Sequence, residues 1–139
     1  MELIANALQT VEVNQNVQFT DTSVGGNCSI LHREGSGLVT LRGITQQCRA
    51  RFKAFFSGNI AIPSGGTVEA ISLAIAINGE TIASTTMIQT PAAAEDFANI
   101  ASAVYIDVPA GCCVTVSVRN TSTQAIDIQN ANLIVERVA

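Results

Sequence analysis

Two adjacent cysteines, Cys112 and Cys113, sit in the phrase IDVPAGCCV at residues 106–114. A thiolate acts as a nucleophile or a metal ligand when a base or further ligands stand beside it. Successive strand residues point to opposite faces, so this pair cannot easily share a metal or bond to each other. The one histidine, His32, follows Cys28 by four residues. Four extended residues span about 13 Å, so a Cys–His nucleophile pair requires the chain to turn between them. No CxxC pair or histidine cluster offers a zinc site. The acidic residues are scattered, and the neighbours Glu95 and Asp96 do not make a calcium loop. GSG at 35–37 lacks the Lys and helix of a phosphate loop and reads as a turn. The N-x-S matches at Asn27 and Asn120 matter only on a glycosylating secretory route. This inventory argues against an enzyme and implies no metal or cofactor.

The remaining charged feature is CRARFKAFF at 48–56. Arg49, Arg51 and Lys53 share one face of a strand, opposite Ala50, Phe52, Ala54 and Phe56. That face suits an acidic partner, either a carboxylate-bearing glycan or a neighbouring subunit's Glu or Asp. Its alternative is an outer face that is solvated or paired across strands. A net charge of −4 with a single Lys argues against general nucleic-acid binding, which needs many phosphate-neutralising cations. No apolar run approaches the roughly 18–20 residues of a membrane span, and the opening MELIANALQ lacks the basic start of a secretory signal. The expectation is a protein that stays in the cytoplasm or leaves by lysis or assembly into a larger particle. Without a secretory signal, four cysteines do not make a persuasive disulfide framework. They read as buried thiols acting as small hydrophobes, with a Cys28–Cys48 or intersubunit disulfide as the alternative.

The elements that must position these groups are strands. At 139 residues the chain is one domain with enough length for a core. Val11, Val13, Val17 and Phe19 alternate with polar residues, the period of a half-buried strand. Further strands are expected at 37–44, 48–56, 67–77, 80–89, 98–108, 112–119 and 124–137. Asn78-Gly79 marks a hairpin, because both residues tolerate positive φ. The apolar parity of the last strand switches between Ile128 and Leu133, predicting a bulge near Asn130. Only 92–101, after Pro91, has a helical reading. Eight or more short strands with Gly-rich turns make an all-β, two-sheet sandwich.

Two internal comparisons sharpen this. IAIPSGGTV at 60–68 echoes IDVPAGCCV, aligning Pro63 with Pro109, Gly65 with Gly111 and Val68 with Val114. The phrase therefore reads as one connection used twice, with Cys112 on the Val114/Val116/Val118 face and Cys113 on the Thr115/Ser117/Arg119 face. In TVEAISLAIAI, Ile71, Leu73, Ile75 and Ile77 are large, whereas Ala70, Ser72, Ala74 and Ala76 are small and uncharged. A second face of small residues implies close packing against something. Another subunit is the expected partner, and the alternative is a loop or terminus folded over it.

The phrases FSGNIAIPSGGTVEAISLAIAINGE, VPAGCCVTVSVRNTS and NANLIVERVA resemble a bacterial and phage family of trimeric jelly-roll domains. That family is similar to tumour-necrosis-factor and complement-type heads and to the tips of collagen-like spore-surface glycoproteins. The resemblance runs from about Val11 to Ala139 and implies a ten-stranded jelly roll in a three-fold homotrimer. Residues 1–10 then stand apart as an N-terminal anchor segment before a domain at 11–139. No Gly-X-Y stalk precedes the domain. The expected role is therefore a virion component, such as a phage head decoration or fibre, contacting capsid or tail proteins. A spore- or cell-surface protein is the alternative setting. The rival function is a carbohydrate-binding module that reaches a host surface glycan through loops 20–37, 90–99 and 120–125. With only Tyr105 and five Phe, the chain has few rings for sugar stacking.

Overall fold

A computed structural model of the chain describes residues 1–111 and 113–139. Among these are twelve strands: β1 (Glu2–Ala5), β2 (Gln9–Val11), β3 (Asp21–Val24), β4 (Ile30–His32), β5 (Val39–Arg42), β6 (Arg49–Ala61), β7 (Ile71–Ile77), β8 (Glu80–Thr81), β9 (Met87–Gln89), β10 (Ala98–Pro109), β11 (Cys113–Asn120) and β12 (Ile126–Arg137). The first sheet runs β10-β6-β12-β1-β3, with β2 also paired to β12. The second runs β4-β5-β11-β7-β8, with β9 also paired to β7. All recorded strand pairs are antiparallel and many neighbours are far apart in sequence, the crossover pattern of a jelly roll.

Alternation explains the two layers. In β6, Ala50, Phe52, Ala54, Phe56 and Ile60 are fully buried, while Arg49, Arg51, Lys53, Phe55, Ser57 and Asn59 face outward. β11 turns Val114, Val116 and Val118 to the same core from the opposite sheet. Phe19 meets Phe56 edge-to-face, with ring centroids 6.3 Å apart. Such a pair adds about 1 kcal/mol beyond area burial, and Phe56→Ala would cost about 3–5 kcal/mol.

Local signals in the sequence map onto specific backbone. Asn78 (φ 52°) and Gly79 (φ 84°) form the β7–β8 hairpin. β12 bulges where expected: Asn130 has φ 57°, and its pairing to β6 shifts between Gln129 and Asn132. Gly65 (φ 82°) and Gly111 (φ 74°) are both left-handed, so the echoed phrases share a turn geometry. Cys112 lies outside the described residues.

Elsewhere tertiary pairing divides what alternation suggests is continuous. The strand expected through residues 11–19 splits between the sheets. Asn14 (φ 63°) turns the chain, so residues 9–11 pair with β12 while the Asn14 and Val17 amides bond the Asn120 and Val118 carbonyls of β11. Residues 80–89 are interrupted by a 3-10 turn at Ala83–Thr85. Its buried Thr85 hydroxyl accepts from the Ile75 amide (2.9 Å) and donates to the Ile82 carbonyl (2.7 Å). Residues 92–101 are not helical: Glu95 is left-handed (φ 63°), its amide bonds the Ile62 carbonyl, and β10 begins at Ala98. Residues 1–10 are not a segment apart from the domain. β1 lies between β12 and β3, and the Met1 ammonium donates to the Val135 carbonyl (2.7 Å).

Candidate interaction face

The outward side of the first sheet carries an unusual surface. Register places Ala103, Phe55 and Ile134 side by side on β10, β6 and β12. The next row is Ala101, Ser57 and Asn132, continued by Ile4 on β1. Beyond it lies Asn99, Asn59 and Gln129. Across these three strands, three rows carry no charge. Strands stand about 4.8 Å apart and rows about 7 Å apart, so the field measures about 10 by 14 Å between its outer residues. Phe55 and Ile134 are each more than one-third exposed, and Tyr105, one row beyond, is 64% exposed. Absence of charge combined with exposed aromatic residues is the composition of an interface centre. A signal was present in the sequence: Phe55 breaks the cationic face of β6, and Leu133-Ile134-Val135 is apolar on both parities.

The small face of β7 has a different explanation from the expected subunit contact. Ala74 and Ala76 are already buried within the chain, at 1% and 0% exposure. Ala74 stands opposite Arg119 and Ala76 opposite Ser117. Arg119 Nη1 donates to the Gly79 carbonyl (2.9 Å), so its stem runs along this face. Ser72 hydrogen-bonds Thr121 (2.6 Å) through its hydroxyl and Ser122 through its amide (2.8 Å). Ala70 is exposed and precedes the strand. Ala74 and Ala76 are small because the same chain covers them.

Toward the lower end of the first sheet the surface becomes charged. Lys53 lies between Tyr105 and Glu136, and Arg51 lies opposite Asp107. Arg51 grips Asp107 with two hydrogen bonds, Nε to Oδ1 (2.8 Å) and Nη2 to Oδ2 (3.2 Å), and Arg49 Nε stands 3.3 Å from Oδ2. The hydrogen bonds from Arg51 hold the Asp107 carboxyl below its ordinary range, and the charges of Arg51 and Arg49 add to this. The same pairing raises the Arg51 value. Two of the three cations expected to await an acidic partner thus share a carboxylate of their own chain.

Cys28, Cys48 and Cys113 are exposed, not buried, and Cys28 and Cys48 carry free thiols. They lie at strand ends and in loops, beyond the alternating faces that build the core. His32 pairs with Val39, three residues before Arg42 on β5, whereas Cys28 lies beside Arg42. About 10 Å of strand separates those positions, too far for a Cys–His pair. The His32 Nε2 lies 2.9 Å from the Ser36 carbonyl, and its ring meets Phe19 edge-on. Among the described residues, no group of three His, Cys, Asp or Glu is arranged to hold a metal. The loops considered for glycan binding do not converge. Residues 90–97 and 121–125 flank the upper end, where β6 finishes, whereas residues 25–29 lie at the lower end beside Arg42.

No protein-family model matches the chain, and no curated protein sequence matches it. Solved structures do. The globular domain of zebrafish complement 1qA superposes with a TM-score of 0.64 at 9% identity, over 96% of this chain and 93% of that one. The Eiger TNF of S. frugiperda gives 0.70 at 12% identity, over 100% and 92%. Murine APRIL gives 0.60 at 10% identity, over 97% of each chain. At such identities the likeness concerns architecture: the chain folds as a TNF/C1q-like jelly roll.

Proposed function

We propose that the chain is a non-catalytic interaction head that forms a homotrimer through the outward face of its first sheet. The carrying observation is the charge-free field of Ala101, Ala103, Phe55, Ser57, Asn132 and Ile134, bordered by the exposed Tyr105. Burying this field between copies removes apolar surface from water at about 25 cal/mol per Å², and the one carboxylate at its β1 edge, Glu2 opposite Ile134, already accepts from Asn132 (3.0 Å) and Ser23 (2.6 Å) of its own chain. The TNF/C1q-like fold and the resemblance of the strand-and-turn phrases to trimeric phage and spore-surface heads support the same reading. In this proposal the trimer is displayed on a phage particle as a decoration or fibre component, assembled in the host cytoplasm and released by lysis.

The test is oligomeric state, measured by light scattering on the parent, Phe55→Glu and Ala74→Glu. The parent should be a trimer. Phe55→Glu should keep its β-sheet circular dichroism and dissociate, because the new charge lies on the exposed face. Ala74→Glu should lose the fold, because its side chain enters space the chain already fills. A monomeric parent, or a Phe55→Glu trimer as stable as the parent's, would refute the interface. Mass spectrometry of purified particles from an infected culture tests the setting, and absence of the chain from them would refute it.

A further inference from the structure

The lower end of the sandwich, where β6 and β11 begin and β10 and β12 finish, gathers groups that the interaction face does not use. Cys28, Cys48 and Cys113 all lie there, each exposed. Free cysteine is among the most buried residue types, so Cys28 and Cys48, free and exposed at one end, need a reason. The Cys48 carbonyl accepts from the Ala110 amide (3.1 Å) and the Gly43 carbonyl from the Gly111 amide (3.0 Å), tying these turns together. Cys113 lies opposite Arg42, whose Nη1 donates to the Cys28 carbonyl (3.3 Å). Arg42, Arg49, Arg51 and Arg137 place four of the seven basic residues at this end of an acidic chain.

Two hollows combine these chemistries. One, of about 320 Å³, is lined by Gln47, Cys48, Arg49, Arg51 and Ala139. The other, of about 100 Å³, is lined by Arg42, Gly43, Ile44, Gly111 and Cys113. Around the larger, Arg49 and Arg51 share the carboxylate of Asp107, and Arg137 Nε meets the terminal Ala139 oxygen (3.1 Å), so three guanidinium groups against two carboxylates leave one net positive charge beside the Cys48 thiol. An internal Cys28–Cys113 bridge is out of reach. Ser29, next to Cys28, is bonded to Arg42, and Arg42 is opposite Cys113, so two strand spacings of about 4.8 Å separate the thiol-bearing segments. That exceeds the roughly 7 Å limit for bridged Cα atoms. Joining two copies at this end would bring arginines against arginines.

We propose that this end is a thiol-exchange site at which Cys48 takes up anionic low-molecular-weight disulfides of the glutathione class. The Cys48 thiol gives its proton to water. The thiolate sulfur then attacks one sulfur of the disulfide, forming the Cys48 mixed disulfide. The reagent's own S–S bond breaks, and its second half leaves as a thiolate carrying the electron pair. Arg49 and Arg51 attract the reagent's carboxylates, and the hollow holds its peptide body.

Fully reduced protein is incubated at low salt with glutathione disulfide or with cationic cystamine, and adducts are mapped by peptide mass spectrometry. Each Cys48 rate is divided by the rate of the same thiol in the urea-unfolded chain, which cancels the reagents' intrinsic reactivities. One net positive charge at contact distance in water attracts an anionic half by about 1 kcal/mol and repels a cationic half by as much, so the normalised rate should favour glutathione disulfide roughly thirtyfold. High salt should erase that preference, as should Arg49→Gln in a variant that melts like the parent. Cys48→Ser should remove the adduct. Equal normalised rates for the two reagents, a preference insensitive to salt, or disulfide-linked copies in place of adducts would each overturn the assignment.

Discussion

Asn120 offers a sharp test of how the two sheets are held together. It ends β11 and is fully buried. Its Nδ2 donates to the Val11 carbonyl (3.0 Å) and the Gln124 carbonyl (3.0 Å), and its Oδ1 accepts from the Ser122 amide (2.8 Å). Val11 belongs to β2 in the first sheet, so one side chain of the second sheet staples the layers and shapes the 121–125 loop. Asn120→Ala removes three hydrogen bonds and leaves two carbonyls and one amide N–H without their partner. At about 1 kcal/mol net per bond, with a further penalty for groups that water cannot reach, the loss is about 3–4 kcal/mol. For a domain of this size that is roughly a 9–15 °C fall in Tm. Urea unfolding followed by circular dichroism, at fixed protein concentration, measures it as a shifted midpoint with an unchanged slope. Asn120→Asp should be worse, because it keeps the acceptor but turns a carboxylate toward two carbonyls. If Asn120→Ala costs under about 1 kcal/mol, the staple carries no stability and the reasoning fails.

The pairing at Asp107 makes a prediction about pH. Its folded pKa lies below the ordinary carboxylate value of 3.8, so its contribution is present above that value and is lost as pH falls through the folded one. Asp107→Asn should therefore be less stable than the parent at neutral pH, with the gap closing in acid in parallel urea titrations; a gap constant with pH would contradict the pairing. At the β12 bulge, Asn130 (φ 57°) tolerates a left-handed backbone that a β-branched residue does not. Asn130→Val should cost about 1–2 kcal/mol in the same assay and Asn130→Gly close to nothing, the order reversing only if the bulge is absent.

Much of the architecture was legible because it depends on near neighbours. Alternation in β6 and β11, the Asn78-Gly79 hairpin, the parity switch at Asn130 and the echoed Pro-x-Gly turns are properties of a few consecutive residues. Each names its local backbone directly. The split of residues 11–19 was not legible, since Val11 and Val17 keep one parity while serving different sheets. Alternation records that a residue is buried, not which layer buries it.

The same limit governs the candidate sites. Sequence alone determined a two-sheet β sandwich with sparse acid–base chemistry, a face of small residues on β7 and a cationic stripe on β6. Tertiary structure decided what those features meet. Arg119, Ser117 and the 121–122 loop crowd Ala74 and Ser72 from within the chain, and Asp107, more than fifty residues away in sequence, takes up Arg49 and Arg51. Phe55, Ala103 and Ile134 become one surface only when β10, β6 and β12 pair, and Cys28, Cys48 and Cys113 share one end only because four strands start or finish there. Parity assigns a side chain to a side of its own strand, but strand order and register, set by burying the whole core at once, determine its neighbours.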